Sequence, residues 1–103
     1  MNPALALSRS VIRDLVRLAA FEVPGVLRVG WAGPSWRRLV AGRPIAVRVR
    51  GGVVSARVVV IARPGQPLVP LAGDVRTAVA AAVERLLGLA IGEVTVRIDG
   101  SGG

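Results

Sequence analysis

The stretch Ile45-Ala46-Val47-Arg48-Val49-Arg50-Gly51-Gly52-Val53-Val54-Ser55-Ala56-Arg57-Val58-Val59-Val60-Ile61-Ala62 decides the fold. Ile45, Val47 and Val49 alternate with Ala46, Arg48 and Arg50, and a period of two turns one face of a strand toward a core. Gly51-Gly52 supplies a two-residue turn before a second apolar run, so the stretch predicts a β-hairpin. That second run changes character along its length. Ser55 and Arg57 alternate with Val54, Ala56 and Val58, whereas Val58 to Ile61 are apolar without a break. A strand apolar on both sides needs cover on both sides. The rest of the chain has little to spare for the second face, which leads to the expectation that another copy covers it, through Val47, Val49, Val59 and Ile61.

A helix is predicted on each side of the hairpin. Upstream, Ala4-Leu5-Ala6-Leu7 reads as a short strand leading to Ser8 as helix N-cap. At 100° per residue, Val11, Ile12, Leu15, Val16, Leu18 and Ala19 then share an arc, with Arg9, Arg13, Asp14 and Arg17 opposite. Pro24 holds Val23 extended, so this helix ends near Glu22, whose carboxylate is expected to be exposed or locally paired. Leu27 leads outward into a loop. Downstream, Arg63-Pro64-Gly65-Gln66-Pro67 is a turn. A second helix over 69–87 tolerates Pro70 in its first turn, is capped by Gly88, and sets Val75, Ala78, Val79, Ala82, Val83 and Leu86 to one side. Val94, Val96 and Ile98 alternate with Thr95, Arg97 and Asp99 in a last strand. The order strand, helix, strand, strand, helix, strand predicts an α+β two-layer sandwich with both helices on one face of a four-stranded sheet. A single domain over 1–100 and a disordered tail over 101–103 complete the expectation.

Composition narrows the function. The 103 residues are 52% hydrophobic, enough for one core and too apolar for intrinsic disorder. All fourteen basic residues are Arg, and Cys, His, Lys and Tyr are absent. That removes thiolate and imidazole metal sites, imidazole bases, Schiff bases and the phosphate-loop lysine. The carboxylates Asp14, Glu22, Asp74, Glu84, Glu93 and Asp99 are scattered singly. Glu93 and Asp99 stand about 20 Å apart along one strand, too far to act as a pair. No catalytic residue, metal or cofactor is therefore expected. The net charge of +8 favours acidic partners, although solubility alone produces the same balance. No secretory leader is seen, and no run approaches the roughly 20 apolar residues of a membrane span, so a cytoplasmic location is expected.

Residues 28–43 read as a loop, with a short helical turn from Pro34 through Trp36 and Leu39. Trp31 and Trp36 are interleaved with Arg28, Arg37, Arg38 and Arg43. Tryptophan beside arginine suits a contact surface, since the ring is apolar at one end and stays wet at the other. The candidate partner-binding set is Trp31, Trp36, Arg37, Arg38 and Arg43; the plainer alternative is rings that close the edge of the core. Arg9, Arg13 and Arg17 at i, i+4 and i+8 are either a solvated face or a contact for anionic lipid or an acidic partner. Gly30-Trp31-Ala32-Gly33 has the Gly-x-x-Gly form of the KH loop that clamps a nucleic-acid backbone, which makes a small KH-like nucleic-acid-binding module the alternative function.

Ser8-Arg9-Ser10-Val11-Ile12, then Ala19-Ala20-Phe21-Glu22-Val23-Pro24-Gly25-Val26, resembles the helix and Val-Pro-Gly-Val turn of the alkaline shock protein family, also called the general stress or envelope stress response family. The likeness continues through the hairpin, the 70–87 helix, Gly88-Leu89 and Val94-Thr95-Val96-Arg97-Ile98. Leu68, where a small polar cap is expected, and the basic charge depart from the pattern. The resemblance implies a non-enzymatic cytoplasmic bacterial scaffold for cell-envelope homeostasis. Such a protein self-associates and docks to a membrane-anchored partner at the inner face of the membrane.

Overall fold

The computed structural model describes residues 9–34 and 36–102. In chain order these form α1 (Arg9–Phe21), β1 (Val26–Val29), α2 (Arg37–Ala41), β2 (Ile45–Arg50), β3 (Val53–Ala62), α3 (Leu68–Ala82) with a π-helical turn (Val83–Leu87), and β4 (Ala90–Ser101). The expected α+β architecture is present: α1 and α3 lie on one face of a four-stranded sheet. The strand expected at Ala4 to Leu7, with its Ser8 cap, lies outside the described residues. The fourth strand is β1, in the Val26–Val29 stretch that the sequence led into a loop. Four residues are too few for a period to show.

β3 is the centre of the sheet. β4 runs parallel to it on one edge, joined through α3, as a parallel pair requires a crossover. On the other edge β2 and β1 lie end to end, both antiparallel: β2 pairs Val53 through Val58, and β1 pairs Val60 through Ala62. The hairpin is as predicted. Arg50 faces Val53 across Gly51 and Gly52, whose φ values of 54° and 77° give the two positive central angles that the tightest hairpin turn needs.

The core lies between sheet and helices. Ile12, Val16 and Ala20 of α1 and Leu71, Val75, Val79 and Val83 of α3 meet Ile45, Val54, Val58, Val60, Ala62 and Val94. α1 stops at Phe21, and the turn after it brings Gly25 against α3. A Cβ on Gly25 would stand 2.7 Å from Leu71 Cδ1 and 2.6 Å from Gln66 Oε1, so a larger residue there would displace the ends of these two side chains. α3 begins at Leu68, one residue earlier than expected. Its N-cap Pro67 offers no side-chain hydrogen bond, and Pro70 sits in the first turn, where its missing N–H costs nothing. At the far end the backbone bonding widens to i→i+5. Each residue then turns through a smaller angle, which keeps Val83 buried, sets Leu87 against the core and swings Leu86 out to 67% exposure. Leu86, expected in the apolar arc, is thus a surface residue.

The four residues expected to share a self-association face do not share one. Val47 and Val49 pair with Ala56 and Val54 and face the helices, where Val47 packs on the core. Val59 and Ile61 point to the opposite face and are already only 2% and 3% exposed within a single chain. Residues 31–43 cross this face, and a Cβ on Gly102 would stand 3.7 Å from Ile61 Cγ2, so the residue after β4 lies against Ile61. Gly30 N–H donates to the Val59 carbonyl at 2.9 Å, and Val59 N–H donates to the Pro44 carbonyl at 2.8 Å. The excursion therefore leaves and rejoins the sheet edge at one residue, as an Ω-loop does, and it is bonded to Asp99 on β4 at the other edge. It crosses over β3 as a strap. At the C-terminus β4 runs through Ser101, and Gly102 N–H donates to the Ala62 carbonyl at 2.7 Å, where the sequence predicts a tail.

Ile61→Ala is expected to destabilise the monomer by about 2–5 kcal/mol, the range for emptying a closed apolar site, and to leave the solution mass unchanged. A denaturant titration with sedimentation velocity on the same samples measures both; a changed mass at unchanged stability contradicts burial of Ile61 by its own chain.

Candidate docking surfaces

The strap is pinned by one carboxylate and one ring. Asp99 Oδ2 accepts the Ala32 N–H at 2.9 Å and an Arg37 Nη1 hydrogen bond at 3.0 Å, while Arg37 Nη1 also donates to the Ala32 carbonyl at 2.8 Å. The Asp99 side chain is only 8% exposed, and Arg97 Nε lies 3.7 Å from its second oxygen. Trp31 Nε1 donates to the Gly42 carbonyl at 2.9 Å, closing the neck of the strap. The Arg37 and Arg97 guanidinium carbons stand 5.9 Å and 5.3 Å from the Trp31 ring centre, within cation–π range.

This arrangement divides the candidate partner-binding residues. Trp31 and Arg37 spend their polar groups on the strap and on β4, and both stay half-exposed. Trp36 is 62% exposed, and α2 adds Leu39 at 88% and Val40 at 79%. Trp36 just before α2, with Leu39 and Val40 inside it, thus gives three exposed large apolar side chains within five residues. Arg38 lies in α2, and Arg43 is exposed at the strap's exit. Leu39 is expected only as part of the short helical turn, and neither it nor Val40 belongs to the expected contact set, since nothing local in the sequence shows that they stay uncovered.

Asp99 was also passed over as a site residue. Its partners are 62 and 67 positions away, and no local spacing announces them. The same bonds count against the KH-like alternative. Residues 30–33 join a strand to the strap, the Gly30 N–H is taken by Val59 and the Ala32 N–H by Asp99, so these backbone donors do not face outward as a phosphate clamp.

A second surface lies on the helix layer. Leu15, Leu18, Ala19, Glu22, Val23 and Pro24 on the α1 side, and Ala78, Ala81, Ala82, Arg85 and Leu86 on the α3 side, line a groove of about 530 Å³. Leu18, Phe21 and Leu86 are each more than half exposed at or beside it. Of the α1 arginines, Arg9 and Arg17 are exposed and Arg13 is half-buried.

The open face of the sheet, opposite the helices, is the third. Ala46, Arg48, Ser55, Arg57, Glu93 and Thr95 are among the residues lining a shallow groove of about 390 Å³ there. It is polar and basic, unlike the apolar face that the unbroken valine run suggested.

No family model and no curated protein matches the chain. Among solved structures it is similar to the MamM CTD in its copper form, with 18% identity over 90% of this chain and 86% of that one and a TM-score of 0.65. A variant of the MamM CTD, also in copper form, aligns at 20% identity over 92% of this chain and all of that one, with a TM-score of 0.60. Identity at this level establishes a shared fold. The resemblance to the alkaline shock, general stress and envelope stress response family is overturned by these findings: the similar structures are MamM CTDs. Several of the residues that carried it serve packing, Gly25 against Leu71 and the valines of α3 and β4 in or against the core. A bound transition metal does not suit this chain's donors, since it has no His or Cys and, among the described residues, no three carboxylates gather. Nor is any described helix long and apolar enough to cross a membrane.

Asp99→Ala leaves the part-buried Ala32 N–H without its acceptor, at a cost of about 1 kcal/mol, the low end of the range for a stranded donor. The expected signature is faster amide exchange over residues 31–43, with exchange in α1 and α3 much less affected; protection of the strap equal to the wild type would contradict its anchoring by Asp99.

Proposed function

We propose that the chain is a non-enzymatic self-association domain that meets a second copy through the groove between α1 and α3. The observation that carries this is the groove's composition: exposed Leu18, Phe21 and Leu86 beside a floor of alanines, with one acid and one base at its sides. A two-fold interface must be complementary to itself. Glu22 borders the groove from the α1 side and Arg85 from the α3 side, and among the described residues the two are not ion-paired with each other. Across a two-fold axis Glu22 meets the partner's Arg85, and the reciprocal pair forms at the same time. The small residues Ala78, Ala81 and Ala82 let the leucines of the facing copy approach closely. The π-helical turn that presents Leu86 fits the same purpose, because such turns recur at functional positions.

The reading is supported by what the rest of the molecule offers. Its carboxylates do not converge, its metal donors are few, and the apolar residues on its surface are gathered into patches. The strap lies on the opposite layer and stays available for another contact when helix layers pair.

Sedimentation velocity across a concentration series tests the pairing, with a mass about twice 10.6 kDa expected at the high end. Leu86→Asp is expected to weaken association by about tenfold or more, as removal of a central apolar anchor does. Glu22→Arg and Arg85→Glu should each weaken it, and the double exchange should recover most of the loss. All three residue changes are at exposed positions, so the thermal midpoint of the monomer should stay close to the wild type. A wild-type protein that remains monomeric at every concentration removes the reading.

A further inference from the structure

We propose that the strap is a wedge for an anionic lipid surface, with Trp36, Leu39 and Val40 entering the interface while the arginines around them meet lipid phosphates. Between Glu22 and Asp74 the sequence contains eight arginines and no carboxylate, and the remainder carries six of each. The whole net charge of +8 therefore resides between those two acids, the stretch that contains β1, the strap, β2, β3 and the turn after it. Register places Arg48, Arg50 and Arg57 on the sheet face opposite the helices, and Arg97 of β4 joins them there. The strap crosses that same face. Arg48, Arg50, Arg57, Arg97 and Arg43 are all exposed, so one side of the molecule combines a basic field with the three most outward apolar side chains of the strap.

The chemistry of this side selects its occupant. A nucleic acid suits the arginines, but Leu39 and Val40 neither stack on bases nor donate hydrogen bonds, so their exposure is left unexplained. A protein would have to offer a groove that is apolar within and anionic at its rim. An anionic bilayer supplies both layers everywhere, and tryptophan favours the boundary between them. The bonds from Asp99 and Trp31 hold the base of the wedge, so its apolar tip is presented without a large ordering cost at the moment of contact. α2 is too short to lie along the interface as an amphipathic helix; it enters by its tip, with the surrounding charge providing the rest of the attraction.

Co-sedimentation of the full chain with vesicles of phosphatidylcholine plus phosphatidylglycerol tests this. The wild type is expected to sediment with the mixed vesicles and to stay in solution with pure phosphatidylcholine. Binding should weaken as salt shortens the screening length from roughly 10 Å at 0.1 M to about 3 Å at 1 M. Its tryptophan emission should move to shorter wavelength on binding; Trp36→Phe should keep the sedimentation and lose most of that movement, since Trp31 is fixed inside the strap. The double variant Leu39→Asp, Val40→Asp should bind the mixed vesicles about tenfold more weakly or worse, with an unchanged circular dichroism spectrum. The inference does not depend on self-association, and the Leu86→Asp monomer should still sediment. Equal binding by the Leu39→Asp, Val40→Asp variant overturns the wedge. So does capture of the chain by single-stranded RNA with no sedimentation on anionic vesicles.

Discussion

The peptide group of Val59 holds both ends of the strap. Its carbonyl accepts Gly30 N–H and its N–H donates to the Pro44 carbonyl, so residues 31–43 must leave and return at a single point on the sheet edge. Because β1 and β2 are thereby laid end to end along β3, the central strand is hydrogen-bonded on both edges throughout its apolar half. The strap has one direction open to it, across the face opposite the helices, and it is fastened at the far edge by Asp99. Val59 and Ile61 are buried on the face it crosses, and Gly102 also lies against Ile61. α2 ends up outside, carrying apolar side chains with nothing from their own chain over them.

This construction separates the molecule into two differently charged layers. Up to Glu22 and from Asp74 onward, the parts that form α1, most of α3 and β4, the chain carries six acids and six bases, whereas the segment from β1 to β3 carries arginine alone. Self-association through a nearly balanced helix layer avoids the like-charge repulsion that pairing through the basic sheet face would bring. Contact with an anionic surface through the sheet side uses the charge that pairing would waste. The two proposed contacts therefore do not compete for the same residues, and a pair joined at its helix layers presents two straps outward.

The unbroken valine run was legible as a strand covered on both faces, and it is one. What covers it was not legible. The 28–43 stretch has Gly, Pro and Arg spread through it, a composition that reads as a surface loop, and its hold on the sheet comes from backbone bonds to Val59 and one carboxylate more than sixty residues away. The same distance concealed the division of labour between the tryptophans: in sequence Trp31 and Trp36 share one arginine-rich setting, yet only Trp31 has the Gly42 carbonyl and the Arg97 guanidinium within reach. Leu86 was misplaced for a different reason. A helical wheel assumes a constant angle per residue, and the widened turn at Val83–Leu87 breaks that assumption at the point where the chain leaves the core.

The sequence alone determined the local structure: a period of two about Gly51-Gly52, a period near 3.6 in two stretches, Pro24 and Gly88 as stops, and a donor set too poor for the common catalytic and metal sites. These are properties of neighbours a few residues apart, and short-range sterics and patterning suffice to decide them. Only the tertiary structure decided the parallel placement of β4, the collinear β1 and β2, the strap over Val59 and Ile61, and the exposure of Trp36, Leu39, Val40 and Leu86. Each of those depends on hydrogen bonds and packing between segments far apart in the chain. Such contacts are worth little until the whole sheet is assembled, so no local window of residues records them.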